Sequence, residues 1–292
     1  MISKISIWLR EVRLQFCTAS VLPIIVGTAL AYSQTHQFNL TLFLLAAFSI
    51  ALFQMGANVS NDYFDSVSKN DWFNINPTPF SGGAQIIQKK LLSPKEVLLG
   101  SLMLFTAGAV LGLIIVIMTK SWIVLLLGII GLLGGFFYTA PPLKLGYRTA
   151  GEITIGFLFG ILPVYGAYYI QTGIIDFVPL LPSLFVAVLI FLVIYANEFP
   201  DFEADKAVGK KTLVVTLGIE KAAYLYKSVI ILLCILAFAY WILLIPIIIL
   251  SALCFRNANP EKLSQQGYAE LSKSTILLHF VGCIALTFAV LL

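Results

Sequence analysis

The feature that most constrains this chain is the recurrence of apolar runs close to 20 residues long. An α-helix rises 1.5 Å per residue, so roughly 20 apolar residues cross the ~30 Å hydrocarbon layer of a bilayer. Nine such spans are predicted: Phe16–Ser33, Leu40–Ser60, Val97–Thr119, Trp122–Tyr138, Gly151–Gln171, Val178–Asn197, Ala222–Tyr240, Ile242–Phe255 and Ser274–Leu292. The seventh and eighth are separated only around Tyr240-Trp241, and the eighth is short for a full crossing. The fold class expected is therefore all-α, a single polytopic bundle over residues 1–292. With 60% hydrophobic and 11% charged residues, the composition excludes an ordinary soluble domain. Met1 to Arg13 reads as an amphipathic stretch lying along the interface ahead of the first span.

Charge placement orients the bundle. Threading the nine spans leaves Lys120 as the one exception among 18 Lys and Arg residues, the others falling at or near one side. The positive-inside rule makes that side cytoplasmic, in the cell membrane, with the N-terminus inside. All acidic residues but Asp176 share that side. Acids have little influence on topology, so their segregation points to function. Nucleic acid is excluded as a partner, because no basic face with interleaved aromatics stands outside the membrane-flanking loops. The cysteines (Cys17, Cys234, Cys254, Cys283) are scattered among apolar residues, and His36 and His279 cannot make a histidine zinc site.

Two acid clusters close even-numbered spans. The first runs Asn58-Val59-Ser60-Asn61-Asp62-Tyr63-Phe64-Asp65 with Asp71 beyond; the second runs Asn197-Glu198-Phe199-Pro200-Asp201 with Glu203 and Asp205. Both contain Asn-x-x-x-Asp, which on a helix puts the two side chains on one face. Carboxylates and carboxamides without His or Cys are a donor set for a hard cation, best Mg²⁺, which keeps several waters and takes one or two carboxylates plus phosphate oxygens. Two such half-sites facing each other would hold a diphosphate. Arg13, Lys144, Lys210 and Lys211 are the cations placed to clamp phosphate oxygens. The alternative, solvated loop acids capping helix ends, does not account for the repeated spacing on one side. Pro200 is expected to disfavour helical geometry at Phe199.

Three motifs carry a family resemblance: Asn61-Asp62-Tyr63-Phe64-Asp65 with Asp71; Tyr138-Thr139-Ala140-Pro141-Pro142-Leu143-Lys144; and Asn197, Asp201, Asp205 followed by Gly209-Lys210-Lys211-Thr212. In order, spacing and side they resemble the UbiA superfamily of intramembrane prenyltransferases. Asp71, the run Thr78-Pro79-Phe80-Ser81-Gly82-Gly83 and Gly166–Gly173 are most similar to the MenA-like branch, which prenylates 1,4-dihydroxy-2-naphthoate on the way to menaquinone. The resemblance implies a helical bundle with a central cavity, a cytoplasmic cap and a lateral opening to lipid. It implies Mg²⁺ on Asn61, Asp62, Asp65, Asp71, Asn197, Asp201 and Asp205, with Asp62 undecided between ligand and supporting partner. A polyprenyl diphosphate would be bound by Arg13, Asn61, Asn197, Lys210 and Lys211, with Asp65, Asp201, Lys144 and Tyr138 serving transfer to an aromatic acceptor. Tyr63, Phe64, Tyr138 and Tyr195 are candidates to face an allylic cation. One departure from the family is that Asn76-Pro77-Thr78-Pro79 lacks the Arg-Pro pair of many relatives. Other acceptors, a different quinone precursor or a lipid-linked glycerol phosphate, keep the family and change the branch. A cation-coupled transporter is the rival class, but its acids would stand near the midplane and not at one face.

Overall fold

The computed structural model describes residues 3–74, 77–240, 244–264 and 267–292. Asn76, in the run that departs from the family, and Trp241 and Ile242, at the junction of the seventh and eighth spans, lie outside the described residues. The principal helices are α1 (Lys4–Glu11), α2 (Thr18–Thr35), α3 (Leu40–Val67), α4 (Asn70–Phe73), α5 (Pro94–Thr119), α6 (Trp122–Phe137), α7 (Gly151–Gly156), α8 (Leu162–Thr172), α9 (Leu180–Glu198), α10 (Phe202–Ala207), α11 (Leu213–Leu217), α12 (Ile219–Ala237), α13 (Leu244–Asn257), α14 (Pro260–Ser264) and α15 (Tyr268–Leu291). Among the described residues there is no strand, only an isolated bridge between Thr78 and Ser81.

Among the described residues, six helical stretches are long and apolar enough to cross a membrane: Lys4–Thr35, α3, α5, Gly151–Thr172, α9 and α15. With the shorter apolar helices α6 and α13, and the 19-residue α12, they correspond one for one to the predicted spans. α12 ends at Ala237 and α13 begins at Leu244, so these two are separate elements. Gly151–Thr172 is continuous through a π turn at Phe157–Ile161. Pro163 explains that turn: it has no N–H to return to the carbonyl four residues back, so the helix widens just ahead of it.

The bundle has a dense side and an open side. On the dense side α2, α8, α9, α12, α13 and α15 share one hydrophobic core, in which Phe185, Tyr195, Tyr226 and Leu278 are fully buried. Close approach there depends on small residues, since membrane helices associate by packing. A Cβ on Gly160 would stand 2.4 Å from the Cα of Ala187 in α9, and one on Gly27 would stand 2.3 Å from the carbonyl oxygen of Val164. The open side is made by α3, α5 and α6, with α3 packed chiefly on α5.

At 28 residues, α3 is about 42 Å long, some 12 Å more than the hydrocarbon layer. Its last two turns therefore carry Asn61 to Asp65 beyond the apolar zone while remaining helical. α1 docks on this end: Ile7 packs with Val59 and Val97, and Trp8 lies against Gly100. The loop 77–92 and the short helices α4, α10 and α11 gather there too.

Candidate active site

Beneath those short helices is a chamber of about 210 Å³ lined by both acid clusters. In the first cluster, Asn61 Nδ2 donates to Asp65 Oδ2 at 3.0 Å, as their spacing on unbroken α3 requires. Asp65 Oδ1 accepts from the Tyr147 hydroxyl at 2.7 Å, and Lys210 Nζ reaches Asp65 Oδ2 at 3.0 Å. Lys210 also contacts Asp205 Oδ1 at 3.3 Å and Asn70 Oδ1 at 3.3 Å, while Asn70 Nδ2 donates to Asp205 Oδ1 at 2.8 Å. One buried ammonium thus joins the two clusters. Burial opposes its charge, but Asp65 and Asp205 more than offset that and hold the Lys210 ammonium well above the usual lysine range.

The second cluster departs from a simple helical reading. α9 ends at Glu198 and α10 begins at Phe202, so Asn197 and Asp201 do not share an unbroken helix. Phe199 keeps right-handed helical angles (φ −59°, ψ −46°), contrary to the expectation from Pro200. The break comes at Pro200 itself, which cannot donate to the carbonyl of Ala196. Asp201 is then held from the other side: Asn74 Nδ2 donates to its Oδ1 at 2.7 Å, and the Gly82 amide to its Oδ2 at 3.3 Å. The same loop secures Asp62, whose Oδ2 accepts the Ala84 amide at 2.9 Å and whose Oδ1 pairs with Arg13 at 2.8 Å. With both oxygens engaged and no share in the chamber wall, Asp62 is placed as a supporting partner of Arg13. Arg13 itself occupies a left-handed turn between α1 and α2 (φ 51°), anchored by a 2.9 Å bond to the carbonyl of Asn58.

Three chamber-lining residues each carry a buried oxygen that lacks any donor among the described residues: Asp71 Oδ2, Asn197 Oδ1 and Glu198 Oε2. Gly83 (φ +68°) passes so close that a Cβ would stand 2.8 Å from Asp71 Oδ2. Burial, then the charges of Asp65 and Asp62, push the Asp71 carboxyl up to about 9. Burial, then Asp205, push Asp201 up to about 7. These acids are short of positive charge. Among the described residues no three carboxylate, imidazole or thiolate groups converge on one point. A hard cation that takes one or two carboxylates, carboxamide oxygens, water and substrate phosphate fits this donor set; one needing a closed protein cage does not.

The structure leaves some sequence candidates outside the chamber. Lys144 does not line it and lies over the Tyr147 ring at 5.1 Å; Lys210 lies 4.7 Å from the same ring. Lys211 is exposed, and its backbone N–H donates to the Tyr147 carbonyl at 3.0 Å. Tyr195 is in the dense core, and Tyr63 and Phe64 pack against each other without lining the chamber. Tyr138 does line it, with Phe16, Phe80, Tyr147 and Phe159. Asn70, Asn74 and Tyr147 are partners that sequence reasoning missed. Asn70 and Asn74 flank Asp71 within one turn on either side, the only local signal available.

A second cavity, of about 370 Å³ and almost wholly apolar, continues from the first; the two share Gly135 and Phe159. Its walls come from α3, α5, α6 and α8, including Ile50, Phe53, Leu132 and Leu158. Leu113, Leu125 and Ile129 along its edge are exposed on the bundle's outer face, so it opens sideways toward lipid.

A helical membrane bundle with an acid-lined chamber at one end and an apolar, laterally open channel beneath it can hold a polyanionic head and a hydrocarbon tail together. The chain belongs to the UbiA prenyltransferase family, which it matches over residues 20–259. It is similar to the 1,4-dihydroxy-2-naphthoate octaprenyltransferase of Bacillus subtilis, at 31% identity over 211 residues, 72% of this chain and 66% of that one. It is also similar to the 2-carboxy-1,4-naphthoquinone phytyltransferase of Synechocystis sp., at 33% identity over 217 residues, 73% of this chain and 66% of that one. The match thus spans just under two thirds of the length of each relative. In fold it is similar to a UbiA homologue from Archaeoglobus fulgidus bound to DMAPP and Mg²⁺, with a TM-score of 0.64 at 18% identity over 97% of this chain and 98% of that one.

Proposed function

We propose that this protein transfers a polyprenyl group from a prenyl diphosphate to an aromatic acceptor with release of diphosphate. The acceptor is 1,4-dihydroxy-2-naphthoate, on the way to menaquinone. The observation that carries this reading is the junction of the acid-lined chamber with the apolar channel at Gly135 and Phe159. It is supported by the two similar relatives, one naming a dihydroxynaphthoate acceptor and both a prenyl-type group. The excess of Lys and Arg beside the chamber supports its facing the cytoplasm, in the cell membrane.

The chain's own groups divide the work. The apolar channel takes the tail, and the chamber takes the diphosphate. Asn61, Asp65, Asp71, Asn197, Asp201 and Asp205 would hold Mg²⁺, which when bound neutralises the diphosphate and stabilises it as a leaving group. Arg13, whose Nε has no partner among the described residues, and Lys210 supply charge-assisted hydrogen bonds to phosphate oxygens. The allylic C1–O bond breaks with its electron pair leaving on the diphosphate. Positive charge on C1 is then met by the rings of Phe159, at the junction of the two cavities, and Tyr138, on the chamber wall. An electron-rich ring carbon of the acceptor forms the new bond to C1. That carbon restores its aromaticity by shedding a proton to water or, where it bears a carboxylate, carbon dioxide. Isolation of the chamber from bulk water protects the carbocation from hydrolysis.

The reading is tested with purified protein in lipid nanodiscs, given a prenyl diphosphate, 1,4-dihydroxy-2-naphthoate and Mg²⁺. The expected result is a prenylated naphthalene by mass spectrometry with stoichiometric diphosphate, abolished by EDTA. Cation flux in liposomes with no diphosphate release would overturn it.

A further inference from the structure

Two further carboxyls stand at the chamber, with no role yet assigned in holding the cation or the diphosphate. Glu198, the last residue of α9, lines the chamber; Glu152, in the first turn of α7, lies behind it. They are 7% and 0% exposed. Glu152 Oε1 accepts the Leu213 amide at 2.6 Å, at the start of α11. The two carboxyls lie close enough to interact electrostatically, and Oε2 of each has no hydrogen-bond partner among the described residues.

Among the described residues no ion pair offsets this acid pair. The Arg13 and Lys210 bridges go to Asp62, Asp65 and Asp205. The chamber that Glu198 lines with Asn197 and Thr212 also has an apolar stretch, Ile155, Phe159, Ile190, Val193 and Ile194, and the ring of Tyr138. A few placed polar groups beside apolar surface are how a ligand pocket orients a flat ring.

We propose that Glu198, braced by Glu152, accepts a hydrogen bond from a ring hydroxyl of the aromatic acceptor. The pair thereby selects hydroxylated arenes and sets which carbon faces the prenyl group. This inference rests on the prenyl-transfer reading above. A carboxyl oxygen of Glu198 accepts whether the group is ionised or protonated, so the role does not depend on its titration. Glu152 touches no substrate and is a positioning residue. The competing role for the pair is a clamp joining α7, α9 and α11, which would be indifferent to the acceptor's hydroxyl groups.

The test compares wild type, Glu198→Leu, Glu198→Gln and Glu152→Gln in nanodiscs with Mg²⁺ and one prenyl diphosphate. The acceptors are 1,4-dihydroxy-2-naphthoate and its two monohydroxy analogues, and thermal melting checks each fold. Glu198→Leu is expected to raise the acceptor KM on the order of tenfold to a hundredfold, with the donor KM unchanged. Glu198→Gln, which keeps an accepting oxygen, recovers most of that loss, and Glu152→Gln shows a smaller rise. Wild type should disfavour one monohydroxy analogue by a similar factor, and Glu198→Leu should lose that discrimination. If the leucine variant does not fold, Glu198→Asp, with its carboxyl withdrawn by one methylene, gives the same comparison. Undiminished discrimination in the variant, or equal rises in donor and acceptor KM, would overturn the assignment. A wild-type protein that prenylates no hydroxylated naphthalene overturns instead the reading beneath it.

Discussion

The two halves of the chamber are spelled alike and built differently. In the first, Asn61 and Asp65 sit on unbroken α3 and bond to each other, and Asp65 is further satisfied by Tyr147 and Lys210. In the second, the helix stops before Pro200, Asn197 keeps an unpartnered oxygen, and Asp201 is held by Asn74 and Gly82 from across the chamber. The first half is thus organised by its own helix and the second by groups reaching over from the first. Equal spacing in sequence produced one rigid half and one dependent half. Among the described residues, the two are joined through Lys210, the Asn70 and Asn74 side chains and the glycine loop.

The largest effect should come from removing either half's central carboxylate. Asp65→Ala and Asp201→Ala are each expected to lower prenyl transfer by about a thousandfold or more while leaving an inserted, folded protein, since charge stabilisation of the leaving group is lost. Diphosphate release and a melting curve measure both. If the halves act as a unit, the double variant will be scarcely worse than either single one, because groups acting together are non-additive.

Lys210→Met cuts the link itself. Removing one partner of a buried ion pair costs about 3–5 kcal/mol, so a lowered melting temperature and a raised donor KM are expected together. Lys211→Met, one residue on but exposed, should change neither by more than about twofold, in line with the small worth of surface charges. Equal effects of the two would mean that the sequence pair acts without regard to burial.

These neighbouring lysines also mark where sequence reasoning stops. The nine spans, their order and the side bearing both clusters were legible, because length, hydropathy and Lys/Arg placement are properties of the chain alone. Asn61 with Asp65 was legible because a helix converts spacing into geometry. Which of Lys210 and Lys211 turns inward was not: Gly209 (φ +74°) ends α10, and the Lys210 amide returns to Asp205, a turn that tertiary contacts select. Tyr147, Asn70 and Asn74 escaped for the same reason. They satisfy buried carboxylates from loops and a four-residue helix, where no period exists to read.

The glycine loop offers a finer cut. Gly83→Ala would place a methyl 2.8 Å from Asp71 Oδ2 at a φ of +68°. Strain of about 1–3 kcal/mol is expected, read as a rise in the Mg²⁺ concentration that half-saturates turnover, with smaller change at saturating Mg²⁺. An unchanged Mg²⁺ requirement would detach the loop from the cation site.

The smallest expected effect is a pH dependence of stability. Asp201 and Asp71 are raised to about 7 and about 9 in the folded protein, against about 3.9 in an unfolded chain. Between about pH 4 and 9 the folded state therefore binds more protons than the unfolded one, and their contribution to stability falls as pH rises. Mg²⁺ competes with those protons, so the rise in melting temperature that it produces should be greater at pH 8.5 than at pH 6. A rise that shrinks with pH would contradict the placement of these two acids at the cation site.

The central claim is that two half-sites jointly hold one diphosphate through a hard cation. Its most direct test is calorimetric titration of the nanodisc-embedded protein with a non-reactive prenyl thiolodiphosphate, with and without Mg²⁺, in wild type and in the Asp65→Ala and Asp201→Ala variants. The account predicts tight binding by wild type only when Mg²⁺ is present, and weakening of that binding by either substitution. Binding that is indifferent to Mg²⁺, or that survives the loss of one half unchanged, would contradict it.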